Sequence, residues 1–290
     1  MKADLQTILV TGANGQLGSE LRVIAAKYPL FKFLFTDKIS LRIEDEEEVK
    51  KYFTEHSVNY CINCAAYTAV DKAESEKESA FLINTTAVAI LARACDQHNA
   101  QLLHVSTDYV FDGTATKPYK ETDSTNPVSI YGQSKLQGEE LAIKFSPSAI
   151  IIRTAWVYAS FGNNFVKTML RLMKEKESIN VVSDQFGCPT YAADLAAVIM
   201  HIVASGKGKQ HPGIYHYSNA GITNWYEFAV AIKKISGNSC IVNPITTAQY
   251  PTAAKRPAWS VLDTTKIKET FAVAVPAWQD SLEQCLQLLK

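Results

Sequence analysis

A tyrosine and a lysine stand four apart in Tyr131-Gly132-Gln133-Ser134-Lys135, opening a segment patterned as a helix over 129–145. That spacing puts an ammonium beside a phenol on one helical face, and a nearby positive charge favours the phenolate. Such a tyrosine can pass a proton to an alkoxide developing on a carbonyl under reduction. Upstream, an apolar run ends in His104-Val105-Ser106-Thr107-Asp108-Tyr109, which offers a hydroxyl from Thr107 or Ser106 to hold the carbonyl oxygen. By itself Tyr-x-x-x-Lys is more often a solvated helix face than a reactive pair. It gains meaning from what else the chain carries.

Near the N-terminus Ile8-Leu9-Val10 runs into Thr11-Gly12-Ala13-Asn14-Gly15-Gln16-Leu17-Gly18, a G-x-x-G-x-x-G pattern between a strand and a helix. The glycines Gly12, Gly15 and Gly18 let the backbone turn tightly against a pyrophosphate, whose charge the helix N-terminus stabilises. Asp37 ends the second apolar run, where an acid accepts hydrogen bonds from an adenosine ribose. A carboxylate there repels a 2′-phosphate, whereas Lys38 and Arg42 would neutralise one. The expected cofactor is therefore NADH or NADPH, with both accepted.

The elements that must position these residues alternate. Apolar strand patterns at 7–11, 33–36, 59–64, 102–106 and 149–153 are separated by helical patterns at 16–27, 45–55, 74–99 and 129–145. This order predicts an α/β fold, a Rossmann-type doubly wound parallel sheet, with ligands outside the carboxyl ends of its strands. Beyond Trp156 the elements shorten and Gly, Pro, Asn and aromatic residues accumulate. The expected organisation is a dinucleotide-binding domain over 1–156, rejoined by about 184–217, and a smaller C-terminal substrate lobe mainly over 157–290.

Lys+Arg and Asp+Glu both number 29, so no net charge draws the chain to nucleic acid or a membrane surface. No stretch has the ~20 apolar residues of a membrane span, and the N-terminus runs directly into the glycine loop rather than into a cleavable leader. Cys61 and Cys64 form C-x-x-C within a strand pattern, where residues three apart face opposite sides and no second pair stands nearby. Packing is the expected role of the cysteines, and a reducing, cytoplasmic setting the expected one for the chain. The histidines lack ligand spacing, and no metal is expected.

The order of glycine loop, acid, hydroxyl pair and Tyr-x-x-x-Lys resembles the extended short-chain dehydrogenase/reductase superfamily over essentially the whole chain. More closely, TGANGQLG at 11–18, NCAAYTAVDKAE at 63–74, STDYVFDG at 106–113, YGQSKLQGE at 131–139, RTAWVYASFGNNF at 153–165, DQFGCPT at 184–190 and KRP at 255–257 resemble dTDP-4-dehydrorhamnose reductases. The resemblance implies reduction of the 4-keto group of a dTDP-linked deoxysugar to give dTDP-L-rhamnose. It implies Tyr131 as proton donor, Lys135 as its electrostatic partner and Thr107 as a hydroxyl that tunes Tyr131. Gly15, Gln16, Leu17, Asp37, Ala65 and Ala66 match cofactor contacts of that family, with Ile43 and Tyr67 beside them. Thr107, Asp108 and Trp156 match substrate contacts.

Several residues carry two readings. Trp156 either fills core or stacks on a sugar, the second being favoured just past a strand end. Asn163 and Asn164 serve as loop caps or read the thymine and hydroxyls. Arg256, stiffened beside Pro257, is expected to meet a pyrophosphate. Where many relatives have an Asp near the adenine, this chain reads Leu41-Arg42-Ile43, which puts that contact in doubt. Some relatives are joined through magnesium; Glu20 matches one ligand position, but Ala193 and Leu288 fall at the others unless a slip of one offers Asp194. With Glu20 taken as an exposed first-turn acid, a monomer or a weak metal-free homodimer is expected. A dehydratase would read Thr-Asp-Glu where this chain has Thr107-Asp108-Tyr109. An epimerase, or a non-catalytic regulatory subunit on the same scaffold, remains as the rival.

Overall fold

The computed structural model describes residues 5–289. The chain runs β1 (Gln6–Thr11), α1 (Gln16–Ile24), β2 (Phe31–Phe35), α2 (Glu46–His56), β3 (Val58–Asn63), α3 (Val70–Ala73), α4 (Lys77–Phe81) and α5 (Ala87–Gln97). It continues through β4 (Gln101–Thr107), α6 (Ile130–Phe145), β5 (Ile150–Thr154), β6 (Val157–Tyr158), α7 (Phe165–Glu175), β7 (Ser178–Val182), β8 (Phe186–Gly187) and β9 (Thr190–Tyr191). The remainder is α8 (Ala192–Ser205), β10 (Gly213–His216), β11 (Thr223–Asn224), α9 (Trp225–Ser236), β12 (Ile241–Ile245), α10 (Thr265–Phe271) and α11 (Trp278–Gln287).

Six strands form one parallel sheet in the order β10-β5-β4-β3-β1-β2. The α/β, doubly wound expectation is met. Side chains alternate across the pleat, so each strand feeds two cores. Ile8 and Val10 pack with Leu17 and Leu21 of α1 and with Leu195, Ile199 and Ile202 of α8. Leu9, Cys61 and Leu102 pack on the opposite side with Phe53, Val88, Leu91 and Ala142. Cys61 and Cys64 fall on opposite faces, and all six cysteines are free. A third core, built on Tyr158, Phe228, Trp278 and Leu282, lies outside the sheet in the C-terminal half. Residues 213–216 return to the sheet beside β5, with Gly213 aligned to Ile150.

Local signals set the helix ends. Asp45 caps α2 by accepting from Glu48 N, and Ser129 caps α6 by accepting from Gly132 N. The single helix expected over 74–99 is instead α4 and α5 joined by a π turn at Leu82–Thr86, with the short α3 ending just before it at Ala73. The cause is a close crossing. A Cβ on Gly138 of α6 would collide with the Asn84 carbonyl oxygen. The extra residue of the π turn lets Asn84 accept from Tyr67 N at 2.9 Å and donate to Ser134 Oγ at 3.0 Å, tying α6 to the loop after β3.

Candidate active site

At the carboxyl ends of β1 to β5 lies a cavity of about 840 Å³. It reaches from the glycine loop past Ala65 and Ala66 to Thr107, Tyr131 and Trp156. The loop fits its sequence closely. Gly12 has φ +65°, and a Cβ there would come within 2.6 Å of Ala65 N. Only glycine meets both conditions. No side chain caps α1 at Gly15, so the first N–H groups of the helix are left for an anion. Gly15, Gln16 and Leu17 line the cavity; Gly18 does not, because its place is against Gly12 O and Ala13. Gln16 also accepts from Asn164 Nδ2 at 2.9 Å, which links the loop to the C-terminal half.

Asp37 borders the cavity at the end of β2. Its carboxylate accepts from Ser40 N and Ile39 N at 3.0 Å, from Ser40 Oγ and from Asn14 Nδ2. These bonds, the Ser40 N–H first, hold it below the usual carboxylate range. Lys38 and Ile43 also line the cavity. Arg42 does not, contrary to expectation: its Nε donates to Glu48 at 2.8 Å and its Nη2 to Asp45 at 2.9 Å. The carboxylates that begin α2 take up the guanidinium. Tyr67 is likewise outside the cavity, its hydroxyl donating to Glu76 at 2.6 Å.

Thr107 ends β4. Its hydroxyl donates to Asp108 Oδ1 at 3.0 Å and accepts from Tyr109 N at 3.2 Å. Burial pushes the Asp108 carboxyl up to about 6. Tyr131 is buried beneath Tyr109, ring edge to ring face at 5.5 Å. Burial raises its phenol well above the ordinary value, opposed by the neighbouring Thr107 hydroxyl. The expected depression of Tyr131 by Lys135 is not found. Lys135 lines the cavity, but its Nζ turns from Tyr131, donating to Val105 O at 2.7 Å and lying 3.3 Å from His104 Nε2. Burial lowers the Lys135 amine to about 8.

In the C-terminal half, Trp156 lines the cavity with φ +51° and stacks on Trp225 at 3.6 Å. Asn163 faces the same space. Asn164 does not, since it caps α7 and donates to Ala159 O at 2.8 Å. Arg256 reaches the cavity but is already paired with Asp71 at 2.7 Å. Glu20, expected at the surface, is 3 % exposed; burial and then the Asp194 carboxylate raise it to about 7. Asp194 itself accepts from Asn219 at 2.7 Å and from Ser281. Among the described residues no group of three or more His, Cys, Asp or Glu is arranged to hold a metal ion.

Sequence reasoning missed Trp225, Asn84, Tyr109 and the His104–Asn63 contact behind Lys135. Tyr109 had a signal, since it follows Thr107-Asp108 at a strand end. Trp225 had none beyond its place after the cap Asn224.

A parallel sheet with a glycine loop at its first strand and a buried hydroxyl pair at its fourth defines a dinucleotide-binding protein of the Rossmann class. The family model described as the RmlD substrate binding domain matches residues 6–290. The dTDP-4-dehydrorhamnose reductase of Aggregatibacter actinomycetemcomitans is 45% identical, over 95% of this chain and 97% of that protein. Crystal structures of dTDP-4-dehydrorhamnose reductases are also similar. That from Clostridium acetobutylicum superposes with a TM-score of 0.93 at 41% identity, covering 98% of this chain and 99% of that one. That from Bacillus anthracis, in complex with NADP, has a TM-score of 0.93 at 37% identity over 98% and 99%. The chain belongs to the dTDP-4-dehydrorhamnose reductase family.

Proposed function

We propose that this chain reduces the 4-keto group of dTDP-4-dehydro-L-rhamnose to dTDP-L-rhamnose, using NADPH or NADH. The observation that carries the reading is the meeting of Thr107 and Tyr131 in the cavity that begins at the glycine loop. The cavity fits a dinucleotide: it is lined by the uncapped start of α1 and by Asp37, beside backbone that only Gly12 permits, and it extends to Tyr131. A reduced nicotinamide bound there supplies the hydride that reaches C4.

The protein does the rest. The Tyr131 hydroxyl gives its proton to the carbonyl oxygen as negative charge develops on it. An alkoxide is more basic than a phenolate, so the transfer runs downhill; burial of Tyr131 reduces that drive, and a cation brought beside it restores it. The Thr107 hydroxyl shares the cavity with Tyr131 and is itself fixed by Asp108 and by Tyr109 N. Lys135 steadies Tyr131 and the ribose end of the cofactor by its charge once its amine faces the cavity. Trp156, backed by Trp225, offers a flat apolar wall for the sugar. Asn163 and Arg256 stand where the nucleotide's polar groups would lie.

The same reading makes residues 157–290 mainly a substrate lobe and the enzyme a monomer or weak metal-free homodimer of the cytoplasm. Six free cysteines accord with a reducing compartment, and no helix among the described residues is long and apolar enough to cross a membrane. The test is NADPH oxidation on addition of dTDP-4-dehydro-L-rhamnose, with the product identified by mass and chromatography. Cofactor binding without turnover of this or any related keto-sugar would favour the regulatory-subunit alternative. Full activity in excess chelator, with a sedimentation mass near one chain, is the expected companion result.

A further inference from the structure

Behind the cavity a line of buried polar groups crosses three strands. Thr11 Oγ1 at the end of β1 donates to Asn63 Oδ1 at 2.6 Å. Asn63 Oδ1 also accepts from Ala65 N at 3.1 Å. A backbone N–H can only donate, so the Asn63 amide orientation is fixed with its nitrogen toward β4. That nitrogen, Nδ2, lies 3.0 Å from His104 Nδ1 and must donate to it. His104 Nδ1 therefore carries the lone pair, and the proton of the neutral ring sits on Nε2. Lys135 Nζ stands 3.3 Å from that Nε2 while donating to Val105 O.

An ammonium has no lone pair, so a charged Lys135 would set donor against donor at this contact. An uncharged amine accepts the Nε2–H and still donates to Val105. Asn63, His104 and Lys135 are all essentially excluded from solvent, so water cannot relieve a mismatch. The other titratable groups facing Nζ are few. Glu139, one turn along α6, is engaged by Arg153 at 2.7 Å; the Cys64 thiol approaches from the end of β3; Tyr131 lies one turn back. Burial outweighs Glu139 and Cys64 and brings the amine to about 8, and burial above all keeps His104 neutral, with Lys135 adding to this in its charged form.

We propose that His104 is a positioning residue that favours the uncharged amine of Lys135, and that dinucleotide binding draws that amine from the His104 contact to the ribose, its uncharged share taking up a proton from solvent. The proposal rests on the dinucleotide reading of the cavity. Ribose hydroxyls that accept from Nζ favour the ammonium, so binding and protonation are linked. The share of Lys135 that is uncharged before binding, about half near pH 8, then acquires its charge when there is a cofactor for it to hold.

The test is calorimetric titration of NADPH into the full chain in two buffers of different ionisation enthalpy, which gives the protons taken up on binding. With the free amine near pH 8, about half a proton should be taken up at that pH, and close to none at about pH 6, where Lys135 is already charged. Lys135→Met should abolish the uptake at pH 8, where the 2′-phosphate, with its second ionisation at about 6, is already fully ionised and contributes none. His104→Leu should cut the uptake at pH 8 by at least about half, since nothing then donates to the amine. His104→Gln should keep it, because an amide offers Asn63 an acceptor and Lys135 a donor. NADPH binding to the wild type without proton uptake at pH 8 overturns the inference and leaves the cavity reading standing. Uptake unchanged in a folded His104→Leu variant overturns the role of His104, and failure to bind NADPH at all overturns both readings.

Discussion

Asn14 and Asp37 meet across the ends of β1 and β2, the Asn14 amide donating to Asp37 Oδ2 at 2.7 Å. The glycine loop and the ribose-side acid are thereby one unit, with the other carboxylate oxygen occupied by Ile39 N, Ser40 N and Ser40 Oγ. Oδ2 keeps acceptor capacity for a ribose hydroxyl. Asp37→Ala should raise KM for NADH about tenfold or more and leave kcat nearly unchanged, because the contact is distant from the reacting carbon. NADPH should suffer less, since its 2′-phosphate escapes the carboxylate. Equal losses for both cofactors would show that Asp37 only shapes the loop.

Arg42 leads to a second expectation. With its guanidinium held by Glu48 and Asp45, Lys38 is left as the cation lining the adenosine end of the cavity. The Asp37 and Glu44 carboxylates and the Lys38 cation line that end together and act with opposite sign on a 2′-phosphate. The kcat/KM values for NADPH and NADH should therefore agree within about tenfold. Glu48→Gln loosens Arg42, and the ratio should move toward NADPH by about fivefold. A ratio that does not respond would confine Arg42 to capping the start of α2.

Tyr131→Phe keeps the ring packed against Tyr109 and removes only the proton donor. kcat should fall by roughly 10²–10⁴, the contribution of a positioned acid, while NADPH affinity stays within about twofold. Thr107→Val should lower kcat by a smaller factor, because it removes a hydroxyl that shares the cavity with Tyr131 without removing the tyrosine's proton. Turnover near that of the wild type in Tyr131→Phe would take the tyrosine out of the chemistry.

These residues were legible in the sequence to different degrees, for physical reasons. The glycine loop was, because a positive φ at Gly12 and the closeness of Ala65 admit one residue type. The strand order was anticipated because alternation of apolar runs with helical patterns leaves few right-handed solutions. The π turn was hidden, since it arises from the contact of Asn84 with Gly138 on another helix. So was the direction of Lys135: spacing put it on the face of Tyr131, but the carbonyl of Val105 and the ring of His104 attract its amine elsewhere. Arg42 and Glu20 misled for a common reason. Whether a charged side chain meets ligand, neighbour or interior depends on which elements pack beside it.

Trp225 tests the substrate wall. Trp156 holds φ +51°, a region that tryptophan rarely adopts, and its indole lies within 12° of parallel to that of Trp225. Removing the backing ring should let Trp156 move. An aromatic pair of this kind contributes about 0.5–1.5 kcal/mol, so Trp225→Ala should raise KM for the nucleotide sugar by about two- to tenfold. kcat should change by less than about twofold, since no reacting atom is touched. A fall in kcat with KM intact would place Trp225 in the chemistry instead of the binding wall.

His216, at the end of β10, governs acid stability. Its Nδ1 lies 3.0 Å from Tyr119 O, a carbonyl that can only accept, so the ring proton is on Nδ1. Nε2 is buried without a partner. Protonating it would strand a charged donor in the interior near Arg153, and burial, then Arg153, lower the pKa to about 3. The unfolded chain, with a reference value of 6.5, gains the proton more readily than the folded one. His216 costs the fold nothing above pH 6.5 and destabilises it increasingly as pH falls toward about 3, at about 1.4 kcal/mol per pH unit and about 5 kcal/mol in total. Other groups titrate over the same range, so the comparison needed is with His216→Asn, whose amide can still donate to Tyr119 O but takes no proton. Urea unfolding of both proteins should show the wild type losing about 2 kcal/mol more than the variant between pH 6.5 and pH 5. Parallel pH profiles would mean that the folded protein accommodates a charged His216, by moving Arg153 or by admitting water to Nε2.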